Sequence, residues 1–212
     1  MSMKNPENEL FISCDIEADG PIPIGNSMLA LGAVAFTPLG LLPEEFEINL
    51  MPLAYEETKA DPDTMKWWQS TEKNRRAYEY ITKNRVRPTL AMEKFNEWVE
   101  YVATRYKSRP VFAGFPASFD HMFVYVYSHY LLGKCAFRFS SWDAKTYAMA
   151  LTKSSFSDSI KKKWPQEWRR GTGKHTHTPL ADAKEQAQIF IAMMQQNLRI
   201  EDRYMKNNAH VA

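Results

Sequence analysis

Four carboxylates and one histidine, each set at the end of an apolar run or at a helix start, carry the chemistry this sequence offers. Asp15 and Glu17 close the run Leu10-Phe11-Ile12-Ser13-Cys14-Asp15-Ile16-Glu17. In an extended chain alternate side chains share a face. Leu10, Ile12, Cys14 and Ile16 then suit burial, and Asp15 and Glu17 stand side by side on the opposite face. Two carboxylates a few ångströms apart raise each other's pKa unless positive charge lies between them, and a divalent cation meets that need. Asp120 falls in the first turn of a helix that follows the short run Val111 to Gly114. Asp182 falls in the first turn of the last helix, with His177 just ahead of it. Taken singly, each has a plainer use. An Asp-x-Glu at a strand end is commonly surface charge or an N-cap, and a first-turn Asp gains from the helix dipole.

The elements that must position these groups read in the order of an α/β domain. Leu10 to Glu17 is a first strand, and Ala18 to Asn26, with two Gly and two Pro, is a loop. Met28 to Phe36 and Glu45 to Leu50 read as second and third strands, split by a turn at Pro38-Leu39-Gly40, so the opening is an antiparallel meander. Asp61-Pro62-Asp63 starts a short helix holding Trp67 and Trp68. Apolar spacing predicts a helix over Thr89 to Tyr106. Val111 to Gly114 is a buried strand, Ser118 caps a helix running to Leu132, and Ala136 to Phe139 is a further strand before a helix over Asp143 to Leu151. Thr178 and Pro179 open the final helix, about Pro179 to Leu198. The expectation is one domain over 1–212 with its core at about 10–198 and a mixed sheet of five or six strands flanked by helices.

Taken together, three segments resemble the DEDDh 3′→5′ exonucleases, the superfamily of ribonuclease T, oligoribonuclease and the polymerase proofreading subunits. The first is Phe11 to Gly20 followed by Met28 to Val34, the second Ala117-Ser118-Phe119-Asp120, the third His177-Thr178-Pro179-Leu180-Ala181-Asp182-Ala183. The resemblance implies a ribonuclease H-like α/β fold, with the acidic site at one edge of the sheet. Two departures stand out. Ala18 and Asp19 replace the hydroxyl residues frequent after the Glu, and Pro116 replaces an Asn frequent before the second-segment Asp.

Four carboxylates without a cysteine set make a hard-oxygen site suited to Mg²⁺ or Mn²⁺. Two such ions ~3.5–4 Å apart can stabilise both oxygens of an in-line phosphoryl displacement. By the resemblance, Asp15 bridges both ions, Glu17 and Asp182 bind the one on the nucleophile side, and Asp120 holds the other. The resemblance makes His177 the base, and a reference pKa near 6.5 suits that task. The His-x-x-x-x-Asp spacing selects it over His175. His121 reads as a local helix residue, and Asp143 as a cap. By the resemblance, the backbone at Ala18 and Gly20 and the side chains of Met28 and Leu29 are the candidate substrate contacts; Phe119 is a further candidate that suits the core equally well. Trp67 and Trp68 suit the core better than base stacking. The basic stretch Lys161 to Lys174, interleaved with Trp164 and Trp168, leads to His177 and is read as a guide for a phosphate backbone.

A formal charge of +2 decides nothing about partners, and 13% aromatic residues serve a core as well as base stacking. Two cysteines, Cys14 and Cys135, have no metal-ligand spacing and fit a reducing compartment. No apolar stretch reaches the ~18 residues of a membrane span, and the first residues form no signal core, so a cytoplasmic protein is expected. The function expected is a metal-dependent exonuclease releasing nucleoside 5′-monophosphates from single-stranded 3′ ends, with RNA modestly preferred. A DNA proofreading-type exonuclease is the nearest alternative. A non-catalytic nucleic-acid-binding module is disfavoured by the full set of five residues, and a nucleotide phosphatase by the basic stretch. Related exonucleases are often dimers, which leaves a homodimer open.

Overall fold

In the computed structural model, residues 10–172 and 176–208 are described, with side chains to residue 199. The strands are β1 (Leu10–Ala18), β2 (Met28–Thr37), β3 (Gly40–Asn49), β4 (Pro110–Gly114) and β5 (Ser141–Asp143). The helices are α1 (Pro62–Gln69), α2 (Glu72–Ile81), α3 (Pro88–Arg105), α4 (Ala117–Leu132), α5 (Ala144–Thr152) and α6 (Pro179–Asn208). Two short 3₁₀ turns, Lys161–Lys163 and Gln166–Arg169, precede α6. The sheet runs β3-β2-β1-β4-β5, antiparallel through the first three strands and parallel from β1 to β4 and from β4 to β5. This is the expected mixed α/β sheet.

Every residue of β1 is buried, because helices cover both faces of its sheet. Ile12, Cys14 and Ile16 join Phe95, Val99, Phe123 and Tyr127 from α3 and α4 in one core. Phe11 faces the other way, with Val34 and Phe36 of β2 and Phe190 and Met193 of α6. Asp15 and Glu17 share Phe11's parity, so they point into the layer that α6 covers.

Several boundaries differ from the sequence reading. β3 starts at Gly40, five residues ahead of expectation, although it contains Pro43; as the edge strand it tolerates a residue without an N–H. The strand expected at Ala136 to Phe139 does not form. There the Ala136 N–H donates to Asn96 Oδ1 at 2.7 Å and Phe139 is 82% exposed, while the fifth strand lies at Ser141–Asp143. Ser118 is not a cap either. α4 begins one residue earlier, with Pro116 at the N-cap position after a cis Phe115–Pro116 bond. The donor left over at its first turn, Ala117 N–H, goes instead to Asp143 Oδ2 at 3.1 Å. Helix α2 had no counterpart in the sequence reading, and α6 runs ten residues beyond Leu198.

Candidate active site

Three local devices deliver the four carboxylates. Asp15 and Glu17 sit near the end of β1, where the pairing with β2 shifts register between Glu17 and Ala18. Such a bulge ends regular pairing and re-aims the strand end. Asp120 lies in the first turn of α4, directly after β4. Its Oδ1 accepts the Ile16 N–H at 3.1 Å, which ties α4 to the backbone between Asp15 and Glu17. Asp182 lies in the first turn of α6.

Gly32 explains how α6 reaches the site. It pairs with Asp15 across the β1–β2 ladder. A Cβ built on it would lie 2.1 Å from Leu180 N and 2.2 Å from the Pro179 carbonyl carbon. Only a residue without a side chain lets the start of α6 rest on β2 at this point. Four residues beyond Asp182, on the same helix face, Gln186 donates from Nε2 to Asp15 Oδ1 at 2.7 Å.

His177 stands on the short strap ahead of α6, half-buried, with φ of 59°. That left-handed backbone is uncommon for a side-chain-bearing residue, with His among the types that adopt it more readily. The strap is gripped by Asp182. Its Oδ2 accepts the His177 N–H at 2.7 Å and its Oδ1 accepts the Thr176 N–H at 2.8 Å. A ring nitrogen of His177 and carboxylate oxygens of Glu17 and Asp182 all lie within 4.8 Å of one another. The Trp67 ring meets His177 edge-on, centroids 5.0 Å apart.

The four acids are no more than 8% exposed, and burial is the first cause of the pKa shifts resolved among them. Asp15 is pushed well above the usual carboxylate range by burial and then by the charges of Asp120, Glu17 and Asp182, while Gln186 opposes the shift. Glu17 is raised by burial, Asp182 and Asp120, and Lys73 opposes it. Asp120 is pushed up to about 7 by burial, against the hydrogen bond from Ile16. Its Oδ2 is buried with no hydrogen-bond partner. An acid cluster with an orphaned oxygen fits a divalent cation bound through oxygen ligands.

The other expected residues fall in different places. Met28 and Leu29 are fully buried, Met28 in the α3/α4 core and Leu29 against Trp68. Phe119 is partly buried and packs on Phe123 at 5.1 Å. The Ala18 carbonyl accepts the indole N–H of Trp68 at 3.1 Å, and Gly20 is packed against the Asn26 side chain. Asp19, beside them, accepts the Ser27 N–H and so shapes the loop. His121 turns away from the acids, its Nε2 3.0 Å from the Arg138 carbonyl. Asp143 caps α5, accepting the Thr146 N–H at 2.8 Å. His175, Gly173 and Lys174 lie outside the described residues. In the basic stretch, Trp164 and Trp168 are buried, Lys161 pairs with Glu185 and Lys163 with Asp158. Gln186 had no place among the expected residues, and Trp67, given to the core, lies beside His177. For Gln186 a signal existed, its helical spacing from Asp182.

Comparison with known proteins gives the family and the fold. Residues 10–194 match the family model described as the 3′-5′ exoribonuclease Rv2179c-like domain. The 3′-5′ DNA exonuclease Cap18 of Escherichia coli is 30% identical over 190 residues, which span 87% of this chain and 91% of that protein. The nuclease domain of 3′hExo, a DEDDh family member bound to rAMP, has the same fold, with a TM-score of 0.63 at 15% identity over 89% of this chain and 92% of that one. So does E. coli exonuclease I in complex with a dT13 oligonucleotide, with a TM-score of 0.64 at 11% identity, 92% of this chain covering 43% of that one. No described helix is long and apolar enough to cross a membrane. The chain is a 3′-5′ exonuclease and belongs to the Rv2179c-like 3′-5′ exoribonuclease domain family.

Proposed function

We propose that this enzyme is a metal-dependent exonuclease that removes nucleoside 5′-monophosphates from the 3′ ends of single strands. One observation carries the reading: four buried carboxylates from β1, α4 and α6 are drawn together, and the Asp120 Oδ2 among them has no hydrogen-bond partner. Asp15, Glu17, Asp120 and Asp182 are the ligands for two Mg²⁺ or Mn²⁺ ions, since hard oxygen donors suit those cations. When bound, such ions stabilise the attacking and leaving oxygens of a phosphoryl displacement.

The remaining steps belong to the chain's own groups. Gln186 fixes the orientation of Asp15 through its 2.7 Å hydrogen bond. Asp182 holds the strap by two backbone N–H groups, so the His177 ring stays beside Glu17. There His177 accepts the proton of the attacking water, a role that calls for a pKa near the working pH.

RNA is the modestly preferred strand, in keeping with the exoribonuclease family matched by the chain. The name of the E. coli relative, a DNA exonuclease, favours DNA as the second reading. The test incubates the purified protein with 5′- and 3′-labelled RNA and DNA oligomers in Mg²⁺, Mn²⁺ or EDTA. Shortening from the 3′ end that stops in EDTA, in Asp15→Ala and in His177→Ala is expected. Activity surviving in EDTA or in Asp15→Ala would sink the two-ion reading.

A further inference from the structure

Helix α2 stands beside the strap that carries His177, and a cavity of about 530 Å³ opens between them. Glu72, Lys73, Arg76, Ala77 and Tyr80 line it from α2, and Thr176 and Thr178 from the strap on either side of His177. The five α2 residues are spaced one, three, one and three apart, which places them on one helical face. A cavity of this size is ordinary for a ligand site.

Its charge is positive. Glu72 is the acid of the α2 face, and Arg75 and Arg76 already bind its two oxygens at 3.1 and 2.8 Å. Glu47 of β3 approaches from below, where its carboxylate accepts the Tyr80 hydroxyl at 2.7 Å and the Leu180 N–H at 3.4 Å. Lys73 is exposed and makes no ion pair among the described residues, and it is the cation whose field reaches Glu17. Tyr80 keeps 42% of its surface open. Cations one turn apart beside a half-exposed aromatic ring are the elements of a single-strand groove.

We propose that this cleft holds the sugar-phosphate backbone of the strand just upstream of the bond to be cut, with Lys73 and Arg76 on successive phosphates and Tyr80 against a base. The proposal rests on the exonuclease reading above. It takes the place of the expected guide, Lys161 to Lys174, whose Trp164 and Trp168 are turned inward.

The test uses the full chain and short 5′-fluorescein-labelled DNA and RNA oligomers. Binding is followed by anisotropy in EDTA across a salt series, and cleavage is followed separately with Mg²⁺. In Lys73→Gln/Arg76→Gln, Kd and KM should rise about tenfold, and the salt slope should fall by about 1.4 for two lost single-strand phosphate contacts. The kcat should stay within about threefold. Lys73→Arg should recover most of the affinity, and Lys94→Gln, an exposed charge on α3, should match the wild type. Near-UV circular dichroism checks that the variants are folded. If the wild type shortens oligomers and the double variant keeps its Kd and salt slope, the subsite is wrong. A kcat loss with unchanged KM overturns it as well. If the wild type binds but shortens nothing, the exonuclease reading fails first and the subsite falls with it.

Discussion

The Trp67–Trp68 pair on α1 and the Trp164–Trp168 pair beside and within the second 3₁₀ turn both lie near basic residues, yet the fold leaves one ring of the first pair open and buries both of the second. Trp164 and Trp168 are buried in the layer between the sheet and α6, and Trp168 donates from Nε1 to Gln196 Oε1 at 2.7 Å. Their neighbours Lys161 and Lys163 are held by Glu185 and Asp158, each at 2.6 Å. The α1 pair splits. Trp68 is buried and tied to the Ala18 carbonyl, while Trp67 stays 42% exposed with its edge on His177. A basic and aromatic composition is thus common to a buried clasp and to a half-open face beside His177. What separates them is whether the rings are buried against α6 or left open beside His177.

The largest expected effect tests the clasp. Trp168→Ala should cost about 3–5 kcal/mol of stability, since a large buried ring leaves a cavity and Gln196 loses its partner. Denaturant melts measure this, and kcat per folded molecule should stay within about twofold. A loss under about 1 kcal/mol would mean that the segment is no clasp.

The next effect belongs to the acid cluster on the other side. Asp120 has an ordinary pKa of 3.8 when unfolded and about 7 in the folded protein without metal. The folded state therefore binds the proton more tightly. The stability this provides is fully present below 3.8 and is lost as pH rises through about 7. In EDTA, Tm should be higher near pH 5.5 than near pH 8, by an amount equivalent to a stability change on the order of a few kcal/mol. Saturating Mn²⁺ should raise Tm most at the higher pH, where the ligands are ionised. Asp120→Asn should shrink this difference in EDTA without abolishing it, because Asp15 and Glu17 are raised in the same direction, and a wild-type profile that is already flat would refute the assignment.

The carboxylates and His177 were legible because each abuts an element that announces itself: an alternating strand, a strand-to-helix turn, a Thr-Pro helix start. Side-chain-to-backbone bonds were not legible. Asn96, forty residues away in sequence, takes the Ala136 N–H and removes it from any strand. Asp143 similarly serves the start of α4 in place of Ser118. Helix α2 escaped notice because Glu72, Lys73, Arg75 and Arg76 hide its buried face, Asn74, Ala77 and Ile81. The importance of Gly32 depended on a contact with residues 179 and 180 that spacing along the chain does not reveal.

Trp67→Ala should lower kcat about tenfold, roughly 1.4 kcal/mol in the barrier. An edge-on aromatic contact contributes about that much to holding a ring in place. Because Trp67 is partly exposed and its backbone carbonyl, which accepts from Asn74 Nδ2, survives the substitution, stability should change by less than about 1 kcal/mol. Trp67→Phe should restore most of kcat, and a variant that loses KM alone would place Trp67 on the substrate instead of on His177.

The smallest effect comes from the cations of the clasp. Lys161→Gln/Lys163→Gln should leave oligomer affinity within about twofold, because the tryptophans beside them are buried and offer a strand no ring to stack on. Lys163 and Asp158 are both more than half exposed, so that pair contributes little to stability. Glu185 is only 6% exposed, and losing the Lys161 ammonium beside it should cost about 1 kcal/mol or more. Melts and anisotropy on the same samples separate the two outcomes. A salt slope reduced as far as in the Lys73/Arg76 variant would place the strand over residues 161–170, and the contrast between the two regions would collapse.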